Sequence, residues 1–128
     1  MNYWLQNLVP HGSPEEIGVI QLAWLGDSIW ELHQRLRHVH KPLKSRELHL
    51  SVVNEVNAQS QSKSLDDIEH LLNEFEIDLI RRARNKTKRF PKSSDPAIYS
   101  RATGFETLIG WLFPVSYTHL TLPTICSV

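Results

Sequence analysis

Two acidic residues in this 128-residue chain stand where an acid needs an explanation. Asp27 lies in Leu25-Gly26-Asp27, inside the most apolar helical segment of the chain. An ionised carboxylate there must be paired, neutralised or bound to a cation, because an isolated buried charge costs several kcal/mol. Glu31 and Gln34 follow at spacings of four and three, so Asp27 belongs to a polar ridge on an otherwise apolar element. Glu106 sits in Gly104-Phe105-Glu106-Thr107-Leu108-Ile109-Gly110, one position off the apolar stripe of the last helix. Each acid has two readings. Asp27 either ligates a metal or forms a core ion pair with an arginine such as Arg101. Glu106 either serves a functional site or simply reaches out to solvent or an arginine.

The third chemical feature is a run of cations. From Arg81 to Lys92 there are seven bases and no acid: Arg81, Arg82, Arg84, Lys86, Lys88, Arg89 and Lys92. From Asp66 to Asp78 there are six acids and no Lys or Arg, so a formal net charge of zero conceals a polarised chain. Such a basic run is either a solvated surface or a phosphate contact. Asn85, Thr87, Ser93 and Ser94 add hydrogen-bond donors suited to a phosphate backbone. The seven histidines (His11, His33, His38, His40, His49, His70 and His119) show no convincing metal-ligand spacing. No phosphate-binding loop, dinucleotide fingerprint or nucleophile elbow is present.

These residues must be positioned by helices. Ser13-Pro14-Glu15-Glu16 reads as a capped start, and one helix is expected from Pro14 to about His38. Its apolar residues fall on nearly every side, which predicts a central, buried helix. Gly18 and Gly26 within it suit close approach of another helix or of substrate. A second helix is expected over about Lys44–Gln61, on the spacing of Leu48, Val52, Val53 and Val56. Ser64-Leu65-Asp66-Asp67 reads as a further start, leading into one or two helices up to Arg84. Asn85–Pro96 reads as a loop. Asp95-Pro96 then opens the last helix, with Ile98, Ala102, Phe105, Ile109 and Leu112 on one face. The expectation is an all-α domain.

Length suits one domain. There is no apolar run of about 18 residues, so no membrane span is expected. The N-terminal residues do not read as a secretory signal, and the single Cys126 cannot form an internal disulfide, so a cytoplasmic protein is expected. Pro114–Val128 contains no Asp, Glu, Lys or Arg. Val115–Thr124 reads like one frame of a transposon-type sequencing-library adapter. Residues 1–114 are therefore expected to form the folded domain and residues 115–128 a non-native tail, making few core contacts and no regular helix; a natural tail is the alternative.

Leu22-Ala23-Trp24-Leu25-Gly26-Asp27-Ser28-Ile29-Trp30-Glu31 resembles the catalytic signature of ribonuclease III domains. Arg81-Arg82-Ala83-Arg84-Asn85, Pro91-Lys92-Ser93-Ser94-Asp95 with Tyr99, and Phe105-Glu106-Thr107-Leu108-Ile109-Gly110-Trp111-Leu112 resemble further segments of the Mini-ribonuclease III group. The resemblance runs from about Gly18 to Phe113. Ala23 and Thr103 stand where full-length ribonuclease III has further acids, and Ala83 where the group commonly has glycine. One acid per helix remains, as in the mini form, and no double-stranded-RNA-binding domain follows. The resemblance implies a ribonuclease III-type fold and a magnesium-dependent endoribonuclease cleaving double-stranded RNA to leave 5′-phosphates. It implies a homodimer that matures the large-subunit (23S) ribosomal RNA precursor. It assigns catalysis and metal binding to Asp27 and Glu106. Arg81, Arg84, Asn85, Lys86, Lys88 and Lys92 are the residues expected to contact RNA. The rival reading is a catalytically inactive RNA- or ribosome-binding helical module.

Overall fold

Side-chain caps mark where three of the five described α-helices begin. The computed structural model describes residue 8 and residues 14–127, with side chains described up to residue 113. Ser13 and His11, and the side chains of His119 and Cys126, lie outside that range. Pro14–Glu16 makes only a 3-10 turn, and the first α-helix, α1, runs over Val19–His38. The single helix expected from Pro14 is therefore broken at Gly18, which is extended (φ −64°, ψ 150°) and serves as the N-cap. Glycine is a poor helix interior residue but an acceptable cap.

The helix expected over about Lys44–Gln61 is two helices, α2 (Ser45–Val53) and α3 (Ala58–Ile68). Asn57 causes the restart. Its Oδ1 accepts from the Ser60 amide at 2.9 Å, its Nδ2 donates to the Asn54 carbonyl at 2.9 Å, and Ser60 Oγ donates to the same carbonyl at 2.8 Å. These bonds satisfy helix-end groups that would otherwise be orphaned. Ser64–Asp67 consequently lies inside α3 rather than at a helix start.

A 3-10 turn at Glu69–Leu71 separates α3 from α4 (Glu74–Lys86), so the span up to Arg84 is not one helix. Asn73 and Glu76 close a capping box at the start of α4. The last helix, α5 (Pro96–Ser127), opens where Asp95 Oδ1 accepts from the Ala97 amide at 2.9 Å. Its backbone stays helical to Ser127, against the expectation of no regular helix after about Val115. Extending a formed helix needs no new nucleus, even across Pro114 and Pro123, each of which removes one ladder hydrogen bond.

The hub is α5, which packs against α1, α3 and α4. One cluster joins Val19, Leu22, Leu79 and Ala83; the other joins Leu65, Ile80, Phe105 and Leu108. Trp30 meets Phe105 edge to face with ring centroids 4.9 Å apart, and its indole N–H donates to the Glu55 carbonyl. Contrary to expectation α1 is not buried all round. It buries Val19, Leu22, Ala23 and Gly26, but leaves Ile20, Leu32 and Leu36 exposed and Trp24 79% exposed. Its all-round apolar character therefore exceeds what the monomer's core can cover. The fold is all-α, with no strand among the described residues. None of the described helices is long and apolar enough to cross a membrane.

Candidate active site

Two glycines set the distance between the helices that carry the acids. A Cβ placed on Gly26 would overlap the backbone carbonyl of Glu106, and one on Gly110 would overlap the carbonyl of Leu22. At this crossing α1 and α5 thus touch backbone to backbone, which only glycine permits. Gly26 bears out the expected close approach of a second helix; Gly18 caps α1 instead. Thr107, fully buried, fixes the register: its hydroxyl lies 3.0 Å from the Val19 carbonyl and 2.9 Å from the Thr103 carbonyl and can donate to either.

Asp27 follows Gly26 directly, so the crossing places it against Glu106. Glu106 is half-buried between the buried residues Phe105 and Thr107, whereas Asp27 is open to solvent. Desolvation therefore falls on Glu106, not on Asp27 as the sequence suggested. Burial is the largest cause that pushes the Glu106 carboxyl up to about 8. Asp27 adds to the rise, both by hydrogen bonding to the protonated form and by its charge, and a side-chain interaction with Gln61 opposes it. Among the described residues no arginine pairs with either of these acids. Arg101 pairs instead with Asp66 and Glu69 of the α3 end, and Glu31 pairs with Arg35 at 3.5 Å.

The two carboxylates face a groove. One wall is Ile20, Ala23, Trp24 and Asp27 of α1; another is Tyr99, Thr103 and Glu106 of α5; Lys86, Thr87, Lys88 and Arg89 form the third. The basic loop is tied down where it leaves α4, with Thr87 Oγ1 donating to the Ala83 carbonyl at 2.8 Å. Further on, Phe90 packs edge to face on Tyr99.

Of the expected RNA contacts, the structure brings Lys86 and Lys88 into this groove. Arg81 turns to Asp78, which also accepts from Arg82. Those two arginines hold the exposed Asp78 carboxyl below its usual range. Arg84 is half-buried, its Nε donating to Ser100 Oγ at 3.3 Å, so it braces α4 against α5. Asn85 and Lys92 are exposed but do not line the groove. Arg89, in the basic run but outside the expected set, does line it, as do Tyr99 and Thr103. Gln61 had no sequence signal except its place on the helix that Asn57 caps.

Among the described residues no group of three or more His, Cys, Asp and Glu converges on one point. The acid pair is therefore the candidate metal site. Its donors are all oxygens and fit a hard cation such as magnesium, whose remaining positions are filled by water and phosphate oxygens. A cation shared by the carboxylates would also offset the burial and the Asp27 charge that together raise the Glu106 carboxyl.

A ribonuclease III domain model matches residues 20–116. A Mini-ribonuclease 3 from a Synechococcus strain is 40% identical over 92 residues, covering 72% of this chain and 67% of that protein. The Mini-ribonuclease 3 of Gloeobacter violaceus is 42% identical over 92 residues, covering 72% and 68%. The crystal structure of protein FN1578 from Fusobacterium nucleatum matches with a TM-score of 0.75 and 29% identity, covering 88% of this chain and 93% of that one.

Proposed function

Because this chain belongs to the ribonuclease III family, in the Mini-ribonuclease 3 group of endoribonucleases, we propose that its Asp27–Glu106 pair is the magnesium-holding centre that cleaves double-stranded RNA. The observation that carries this reading is the groove itself, with two acids at the glycine crossing and three cations on the opposite wall. A polyanion fits such a groove only with its phosphates toward Lys86, Lys88 and Arg89, which leaves the carboxylates to a metal ion. When bound, magnesium would lower the pKa of an attacking water and stabilise charge on the phosphate.

The chain's own residues do the rest. Asp27, open to solvent, is the ready anionic ligand. Glu106, half-buried on α5, would be the second ligand. Lys86, Lys88 and Arg89 bind the RNA backbone by charge and read shape rather than sequence, which suits A-form RNA with its phosphates and 2′-hydroxyls displayed across a shallow groove. Arg81, Arg84, Asn85 and Lys92 then form an outer rim at most.

The exposed Ile20 and Trp24 lie on the α1 wall of the same groove. In this reading a second copy covers them, giving a two-fold dimer with one site for each RNA strand. The natural substrate follows the family: the large-subunit (23S) ribosomal RNA precursor, in the cytoplasm. We assign residues 115–128, without a charged side chain, to a tail outside the catalytic domain of residues 1–114.

The inactive binding-module reading is disfavoured by one observation: both acids are retained and meet in one groove. Incubating the protein with a long RNA duplex, with and without magnesium, tests the proposal. Magnesium-dependent cuts with 5′-phosphates are expected. Tight duplex binding with no cleavage at any metal concentration would favour the binding module.

A further inference from the structure

We propose that Gln61 is a positioning residue for the acid pair, its side-chain amide directed at the Glu106 carboxylate to hold it in place for a cation. This rests on the reading of Asp27 and Glu106 as metal ligands. Gln61 stands on α3, a helix that carries neither acid, and is 3% exposed. Among the described residues two buried side-chain atoms lack a hydrogen bond, Glu55 Oε2 and Gln61 Nε2. Glu55 Oε2 has the Arg37 guanidinium at 3.6 Å. Gln61 Nε2 has no such partner. Asp66 of α3 pairs with Arg101 and Leu65 packs with Phe105 and Leu108, so Gln61, one turn earlier on α3, stands beside the turn of α5 that carries Glu106, its donor unpaired.

A buried donor left short of its acceptor is costly, and an apolar side chain of similar size would pack there without that cost. A glutamine at this position makes sense if its acceptor is completed in another state of the site. A Glu106 carboxylate held in a fixed position by a shared cation would supply that acceptor. Groups that orient metal-binding carboxylates act in this way, and their loss typically weakens metal affinity about 10–100-fold. Leu65, one turn further along α3, is fully buried and anchors the helix in the core beside Phe105 and Leu108. The amide is therefore held on a rigid element.

The test measures Mn²⁺ binding to the full-length protein without RNA, by the electron paramagnetic resonance of the free ion, alongside thermal unfolding in chelator. Gln61→Met keeps length and removes the donor. Its Mn²⁺ affinity is expected to fall at least about tenfold, while its Tm in chelator holds or rises. A lower Tm with unchanged Mn²⁺ affinity would show Gln61 to be core packing only and overturn the proposal. Should Gln61→Met not fold, Gln61→Glu keeps the shape and replaces the donor by a third acid. That variant is expected to gain more Tm from Mn²⁺ than the parent does. An equal gain would overturn the proposal. If the parent itself binds no Mn²⁺, the metal-site reading fails and takes the Gln61 role with it. Parent binding with unaltered variants sinks the Gln61 role alone.

Discussion

Glu106→Gln should make the metal-free protein more stable while abolishing its activity. In the folded chain the Glu106 carboxyl is raised from 4.5 to about 8, mainly by burial and secondly by Asp27. Between those values the folded state keeps a proton that the unfolded state has lost. Stability from this group is therefore fully present below about pH 4.5 and drains away as pH rises toward 8. A full proton is worth about 1.4 kcal/mol per pH unit. The groove is open to water, so screening reduces the accumulated loss at pH 8 to roughly 2 kcal/mol. Glutamine is neutral throughout and its amide can donate to Asp27, so it escapes this loss. In chelator at pH 8 the variant should melt about 5–10 °C above the parent, and the downward slope of Tm between pH 5 and 8 should disappear. Cleavage of an RNA duplex should fall by several orders of magnitude, on the order of 10³ or more, because the carboxylate that shares the ion is gone. The parent's Tm should rise on adding Mg²⁺ and the variant's should not. For the parent, proton and cation compete at Glu106, so the magnesium concentration needed for half-maximal cleavage should rise about tenfold per pH unit below 8. Calorimetry across pH with a parallel gel assay reads all of this. A variant that retains the parent's pH slope, or that cleaves at near-normal rate, would refute the reasoning.

Asp27→Asn should lose cleavage to a similar extent, and the Asp27→Asn, Glu106→Gln double variant should be little worse than either single change, since both act through one ion; additive losses in single-turnover rates would argue for separate roles. Replacing Lys86, Lys88 and Arg89 together by alanine should weaken duplex binding and flatten the log–log salt dependence, by about 0.9 for each phosphate no longer neutralised on a B-form scale and something comparable here; an unchanged slope would make the loop plain solvated surface. Gly26→Ala should destabilise the fold by about 3 kcal/mol or more, because its Cβ meets backbone that cannot swing aside; a loss under about 1 kcal/mol in urea would mean that the crossing yields easily. Trp24→Asp should convert a dimer to monomers in sedimentation while leaving the monomer folded, since the ring is 79% exposed in the single chain; an unaltered sedimentation profile would place the dimer contact elsewhere.

What could be read from sequence divides along a physical line. Asp27, Glu106 and the basic run were legible as candidates because charge in an apolar helix, or charge without its counter-charge, is a local anomaly; the pairing of the two acids came from the family resemblance. The apolar stripe of α5 was legible from its period. The direction of burial was not. Asp27 looked like the buried acid because its neighbours are apolar, yet those neighbours are themselves half outside, and the desolvated acid is Glu106, half-buried where α5 crosses α1. Whether an apolar helix is central or half-exposed depends on how much core the rest of the chain supplies, which periodicity does not report. The split between α2 and α3 was also hidden, because Asn57 ends one helix and starts another through bonds to Asn54 and Ser60 that compete with a continuous apolar pattern. That hidden break has the larger consequence. A continuous helix would have made Gln61 its last residue. With the restart at Ala58, Gln61 lies one turn into α3, in register with Leu65, and the core contact of Leu65 sets the depth at which the amide sits. Glu106 is thus addressed from two sides: Asp27 through the Gly26–Gly110 crossing, and Gln61 through the Asn57 cap. Both placements depend on residues that lie outside the acid pair itself. Changing Asn57 to alanine should therefore weaken the helix start by about 1 kcal/mol and disturb the acid site without touching it.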